Sequence, residues 1–288
     1  MAGPVPLNFT PTGMVPTKEM TPHVPITPQE IVTDVRTAYE VGITSVHLHA
    51  RDPETGEPTW NKEVFAEIIE GIRSFAPELV ICVSLSGRDW DAFEKRTDVL
   101  DLTGDRKPDM GSLTLSSMNF SNEASVNSPE MVQALAERMQ AVGVLPELEA
   151  FDLGMINYAD YLDTKGLLEP PHYINLLLGN VATAQPDLVH IGTMIRDLPE
   201  DSVWALAGIG DAQLPVTSVS IAVGGGVRVG IEDSLYFGPE RDQLATNEEL
   251  VRRVHEFAAL TQQDIMTPSQ LRERLDLEPG NGQYGRKQ

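Results

Sequence analysis

Along the chain, short β-branched runs alternate with longer stretches of helical character. The segment "TPQEIVTDVRTAYEVG" opens with Thr27 as an N-cap, Pro28 in the first turn and Glu30 completing a capping box, and it closes on Gly42. "ITSVHLH" then reads as a strand, "NKEVFAEIIEGIRSFA" as a helix and "ELVICVSLSG" as a strand. "DMGSLTL" continues the series, followed after a loop by the helix "SPEMVQALAERMQAVG" and the strand "LPELEAFD". "HYINLLLG", "SVWALAGIG" and "GGVRVGIED" follow with helical segments between them, and "PLNFTPTG" supplies a strand at the start. About eight strands, each feeding a helix, predict an α/β chain with a parallel sheet closed into a (β/α)8 TIM barrel. An open doubly wound sheet is the competing arrangement, but no G-x-G-x-x-G follows the first strand. No linker or composition break divides the chain, so residues 1–288 are expected to form one barrel domain with a short C-terminal extension from about residue 273.

Charge narrows the function. Forty-three acidic residues against 21 basic ones give a formal charge of −22, which repels nucleic acid and anionic membrane. The single cysteine, Cys82, sits within the apolar "LVICVSL" and reads as a buried core residue without an internal disulfide partner. No stretch has the length of a membrane helix, and "MAGPVPLNFTPTG" lacks the basic start and apolar run of a signal peptide. A cytoplasmic protein is expected.

The chemistry gathers at two strand ends. His47 and His49 bracket one leucine in a chain with only six histidines. Alternation along a strand puts both imidazoles on one face, at the C-terminal end where barrel active sites lie. Such a pair suits one divalent metal; hydrogen bonding in a polar barrel mouth is the plainer alternative. In "GGGVRVGIEDSLYF", Glu232 follows the last strand, one strand away from the second, and is a candidate third ligand. Arg228 points inward on that strand and needs a carboxylate partner or an anionic substrate, and Glu147 and Glu149 of "PELEAFD" are candidate partners.

These residues carry a resemblance. "ITPQEIVTDVRTAYEVGITSVHLHARD", "PELEAFD" and "LAGIGDAQLP…GGGVRVGIEDSLY…LATNEELVRRV" resemble the β-keto acid cleavage enzymes, the group that includes 3-keto-5-aminohexanoate cleavage enzyme, from about Thr10 to about Arg272. The resemblance implies a zinc-dependent (β/α)8 barrel, a homotetramer, that converts a 3-oxo acid and acetyl-CoA into acetoacetate and a new acyl-CoA. It makes His47, His49 and Glu232 the zinc ligands and matches Arg228 and Asp233 to a pair that deprotonates the substrate, with Glu147 or Glu149 holding the arginine. Ser84 or Ser86, and Ser112 or Thr114, fall where hydroxyls contact substrate oxygens. Zinc would polarise the ketone and Asp233 would act as general base.

The chain departs from the pattern in informative places. Relatives that take amino-bearing acids carry a carboxylate just after the first "TG", where this chain has Met14, so an ammonium would find no partner there. Gly226 stands where many relatives have a bulkier polar residue, which suggests extra room. Arg88, in the loop after "VICVSLS", is a candidate for a substrate carboxylate or a CoA phosphate, or else a surface charge paired with Asp89 or Asp91. Two other classes are weighed. A hydrolase of the amidohydrolase kind would use an H-x-H on the first strand and further histidines later, for which His190 is the one candidate of similar context. A non-catalytic acidic barrel would have no need for these residues to converge.

Overall fold

Thr27 caps the first helix in the way its sequence predicts. Its hydroxyl accepts the Glu30 N–H at 3.2 Å, and the Glu30 carboxylate accepts the Thr27 N–H at 3.0 Å. Helix α1 (Pro28–Val41) then buries Ile31, Val35 and Ala38 along one face and ends at Gly42, whose φ of 120° places it in the left-handed region.

The computed structural model describes residues 3–280 and 282–287. Eight strands pair in parallel and close into a barrel, each beside its sequence neighbours. They are β1 (Leu7–Phe9), β2 (Ser45–Leu48), β3 (Val80–Val83) and β4 (Met110–Thr114). The circle is completed by β5 (Leu145–Ala150), β6 (His172–Leu178), β7 (Ser202–Gly208) and β8 (Gly226–Val229), with β8 pairing back onto β1. Helices α2 (Lys62–Arg73), α4 (Pro129–Val142), α5 (Leu153–Thr164), α6 (Leu188–Arg196), α7 (Gln213–Ala222) and α8 (Asn247–Thr261) complete the ring. The (β/α)8 expectation is met. One crossover is thin: between β3 and β4 the chain makes only the five-residue α3 (Phe93–Thr97) and two 3-10 turns. Between β4 and α4, Met118–Asn119 and Ala124–Ser125 form a small antiparallel hairpin.

The outward faces of the strands, including Val46, Leu48, Ile81, Val83, Leu113 and Leu148, meet the apolar faces of the helices in the main core. A second, smaller core closes the opposite end from the strands' C-termini. There Val80, Cys82, Met110, Leu145, Tyr173 and Val203 pack against Leu271, Leu275 and Leu277, from α9 (Pro268–Leu275) and the chain just after it. Each of those three leucines contributes about 1.5–3 kcal/mol by burial. The buried Asp109 binds this floor together, accepting from Arg73 Nη2 at 2.7 Å, from Arg272 Nη1 at 2.8 Å and from the Ile81 N–H at 2.9 Å. Gly226 belongs to the floor side as well, at the start of β8. A Cβ there would sit 2.6 Å from Pro6 Cγ and 2.8 Å from the Trp204 carbonyl oxygen, so the expected extra substrate room does not exist. Among the described residues, no helix is long and apolar enough to cross a membrane.

Candidate active site

Strand β2 ends at Leu48, which leaves His47 inside the strand and His49 one residue beyond it, both directed into the barrel mouth. Their Nε2 atoms face each other at 3.3 Å. Glu232 arrives from the far side of β1, with Oε1 at 3.3 Å from His49 Nε2 and 4.0 Å from His47 Nε2. Two glycines allow this approach. Gly13, at φ 66°, comes so near that a Cβ would lie 2.6 Å from Glu232 Cγ, and a Cβ at Gly230 would strike the Thr10 carbonyl oxygen at 1.9 Å.

Arg228 stands at the centre of the carboxylates. It donates to Glu232 Oε1 from Nη2 at 2.6 Å, to Glu149 Oε1 from Nη1 at 3.3 Å and to Asp233 Oδ2 from Nε at 3.1 Å. Thr114 and Thr10 complete the shell, donating to Glu149 Oε2 at 2.7 Å and to Asp233 Oδ2 at 3.3 Å. Deeper still, His47 Nδ1 meets Glu147 Oε2.

The titrations follow from this crowding. Burial disfavours the His47 imidazolium, but Glu147 and then Glu232 outweigh it and raise the group to about 9. Burial works against the Glu147 carboxylate too, and His47 overcomes it, holding the group down at about 2. Burial lowers His49. Glu232 lies well below the usual carboxylate range, because His49, Arg228 and His47 together exceed its burial penalty. Asp233 goes the other way: burial pushes it up, and Arg228 only partly offsets that. Two carboxylates adjoining in sequence thus differ in proton affinity.

The donor set fits a metal. Four carboxylates, those of Glu147, Glu149, Glu232 and Asp233, face one guanidinium and one imidazolium, an excess of negative charge in a buried place. Glu232 Oε2 is buried and has no hydrogen-bond partner among the described residues, although Oε1 has Arg228. Ligand atoms of His47, His49 and Glu232 all lie within 4.8 Å of one another. Two imidazole nitrogens and a carboxylate oxygen are a donor set suited to Zn²⁺.

A cavity of about 330 Å³ opens above them, lined by Met14, Ser84, Ser86, Arg88, Thr114 and Glu149 together with the two histidines, Arg228, Glu232 and Asp233. Ser112 is not among its walls; its hydroxyl accepts the Leu85 N–H at 3.0 Å, two residues deeper on β4 than Thr114. Glu147 lies deeper in the same way and is bound to His47, while Glu149 is the glutamate that touches Arg228. Arg88 lines the cavity, pairs with Glu123 at 3.1 Å and lies 3.8 Å over the Phe120 ring, so its ion-pair partner is neither Asp89 nor Asp91 of the surface-charge alternative. His190 sits on α6 with an exposed ring against Asp187 and is not among the cavity walls.

Several residues escaped the sequence reading. Phe120, Glu123 and Asn180 line the cavity from loops with no motif. Arg51, buried directly after the H-x-H segment, donates to the carbonyls of Gly13 and Pro16 at 3.0 Å each and so fixes the loop that carries Met14. A charged residue two positions past the second histidine was the available signal.

A closed parallel barrel with titratable groups converging beyond its strand ends is the architecture of a barrel enzyme. This chain belongs to the beta-keto acid cleavage enzyme family, whose model matches residues 4–277. It is 36% identical to a 3-oxoadipate:acetyl-CoA acetyltransferase of Cupriavidus necator, over 96% of each chain. It is 35% identical to a 3-keto-5-aminohexanoate cleavage enzyme of Fusobacterium nucleatum, over 92% of this chain and 95% of that one. The solved apo structure of ObcA shares the fold at a TM-score of 0.78 and 20% identity, across 89% of this chain and 66% of that longer one.

Proposed function

We propose that this protein condenses a 3-oxo acid with acetyl-CoA and cleaves the product to acetoacetate and the CoA ester of the remaining acyl group. The observation that carries this reading is the contiguity of two devices: a buried ligand trio with an orphaned carboxylate oxygen, and an Arg228–Asp233 pair beside it. His47, His49 and Glu232 would hold one zinc ion, which supplies Lewis acidity toward a ketone oxygen. Asp233, its proton affinity raised by burial, takes the proton from C2 of the 3-oxo acid. Arg228 orients Asp233 and Glu149, and Thr114 holds Glu149 in turn. Ser84 and Ser86 line the same wall and offer hydroxyls to substrate oxygens.

For the far end of the substrate, Met14 presents a thioether where an ammonium would need a carboxylate. An unpartnered cation there would cost several kcal/mol. Arg88 supports an acid with a second carboxylate, and the Cupriavidus necator relative is named for 3-oxoadipate. The hydrolase alternative has lost its later histidine to the outside of α6. Cytoplasmic residence fits the lone buried Cys82, and the exposed Leu188 and Val189 on α6 support a homo-oligomer, a tetramer by family resemblance.

The deciding experiment measures acetoacetate released from acetyl-CoA with three chain-matched 3-oxo acids ending in an amine, a methyl or a carboxylate. The amine should be the poorest substrate and should improve in Met14→Glu. Absence of acetoacetate with all three acids in zinc-loaded enzyme would sink the proposal, and a preference for the amine would overturn the reading of Met14.

A further inference from the structure

Glu147 has the chemistry of an active-site group but no access to the cavity. It is fully buried on β5, two residues deeper than Glu149, and its two oxygens collect three donors. Asn8 Nδ2 donates to Oε1 at 2.6 Å, Cys82 Sγ lies 3.1 Å from Oε2, and His47 Nδ1 meets that same Oε2. The three donors come from β1, β3 and β2 respectively, so the carboxylate is gripped from three strands across the barrel axis. A buried ionised carboxylate requires such saturation. It also imposes a choice on the histidine. A group that can only accept fixes a proton on Nδ1 and so leaves Nε2, which faces His49 Nε2 and Glu232, as the nitrogen that a metal can take.

We propose that Glu147 is a positioning residue that holds the His47 ring in a single tautomer and rotation, committing Nε2 as the metal-binding atom. This rests on the reading of His47, His49 and Glu232 as a metal site. The proposal also accounts for the lone cysteine. At the level of Glu147, Cys82 acts as a small, weak hydrogen donor to the carboxylate, and a larger side chain would displace the grip.

The test uses the full chain, uniformly ¹⁵N-labelled. In the zinc-loaded protein, long-range ¹H–¹⁵N correlation should show His47 protonated at Nδ1 with a metal-bound Nε2; the reverse assignment overturns the proposal. In Glu147→Gln, zinc affinity measured by competition with a chromophoric chelator should fall roughly ten- to a hundredfold. An affinity within about twofold of the parent, in a variant with parental circular dichroism, also overturns it. Should Glu147→Gln not fold, the tautomer assignment on the parent still decides. Should the parent bind no zinc, the metal reading fails separately. The metal-free protein then decides for Glu147: a slowly exchanging, downfield Nδ1 proton on His47 supports its grip, and a freely exchanging one refutes it.

Discussion

Asp233 and Glu232 are neighbours in sequence and opposites in proton affinity, and that contrast makes their roles separable by substitution. Asp233→Asn should keep its metal and lose at least about a hundredfold in turnover, the lower end of general acid–base catalysis. Parental turnover would move the base elsewhere, with Glu149 next in line because Glu147 is engaged below. Burial holds Asp233 above the 3.8 of an ordinary aspartate, and a base works only when ionised. The acid limb of kcat/KM should therefore lie above that value in the parent and be absent in Asp233→Asn. Removing a ligand acts differently. His47→Ala, His49→Ala and Glu232→Gln should each lose most of the bound zinc in metal analysis, since two remaining ligands hold it poorly. Full occupancy in all three would dismiss the trio. At this scale the sequence was readable in one dimension. Alternation tells which face a side chain takes, and so found His47 with His49 and Arg228 with the carboxylates. It is silent about depth. Glu147 and Glu149 share a face, as do Ser112 and Thr114, and only the stagger of the strands decides which member of each pair reaches the cavity.

Helix starts were legible because a cap is a local event, complete within a few residues, as Thr27 and Glu30 illustrate. The short α3 and the hairpin at Met118–Asn119 were not, because no sustained period marks them and their positions depend on what they pack against. Contacts between elements were equally hidden. Asn247, the first residue of α8, donates to the Pro11 carbonyl at 3.0 Å and to Asp34 Oδ2 at 2.6 Å, and its own oxygen accepts the Ile231 N–H at 2.9 Å. One side chain thus ties α1, the β1 loop and the end of β8 together, immediately beside Glu232. Burial raises Asp34 to about 6 from 3.8, against the opposing hydrogen bond from Asn247. The folded protein consequently holds this proton more tightly than the unfolded chain does. That contribution to stability is complete below about pH 3.8 and is lost as the pH rises through 6. Asp34→Asn should raise Tm above pH 7 and leave it nearly unchanged at pH 4; an equal shift at both would refute the assignment.

For the whole molecule, the barrel is as firmly closed below as it is open above. Asp109 is enclosed with Arg73 and Arg272, and Tyr284 covers them, its ring 3.4 Å from the Arg73 guanidinium carbon. Asp109→Asn would leave the buried Arg73 without its counter-charge and Arg272 with only the partly exposed Glu78 at 3.7 Å, a loss of about 3–5 kcal/mol readable in urea unfolding. A change below about 1 kcal/mol would mean that water reaches the floor after all. The closed floor has a further consequence, which concerns traffic. Entry through the mouth of the barrel would serve visitors in sequence: whatever rests against Arg228 would enter first and leave last. A bulky thioester arriving above it would then act as the stopper, keeping water from what lies below. Initial-rate kinetics would register this as a compulsory order of addition, and random order would mean a second way in.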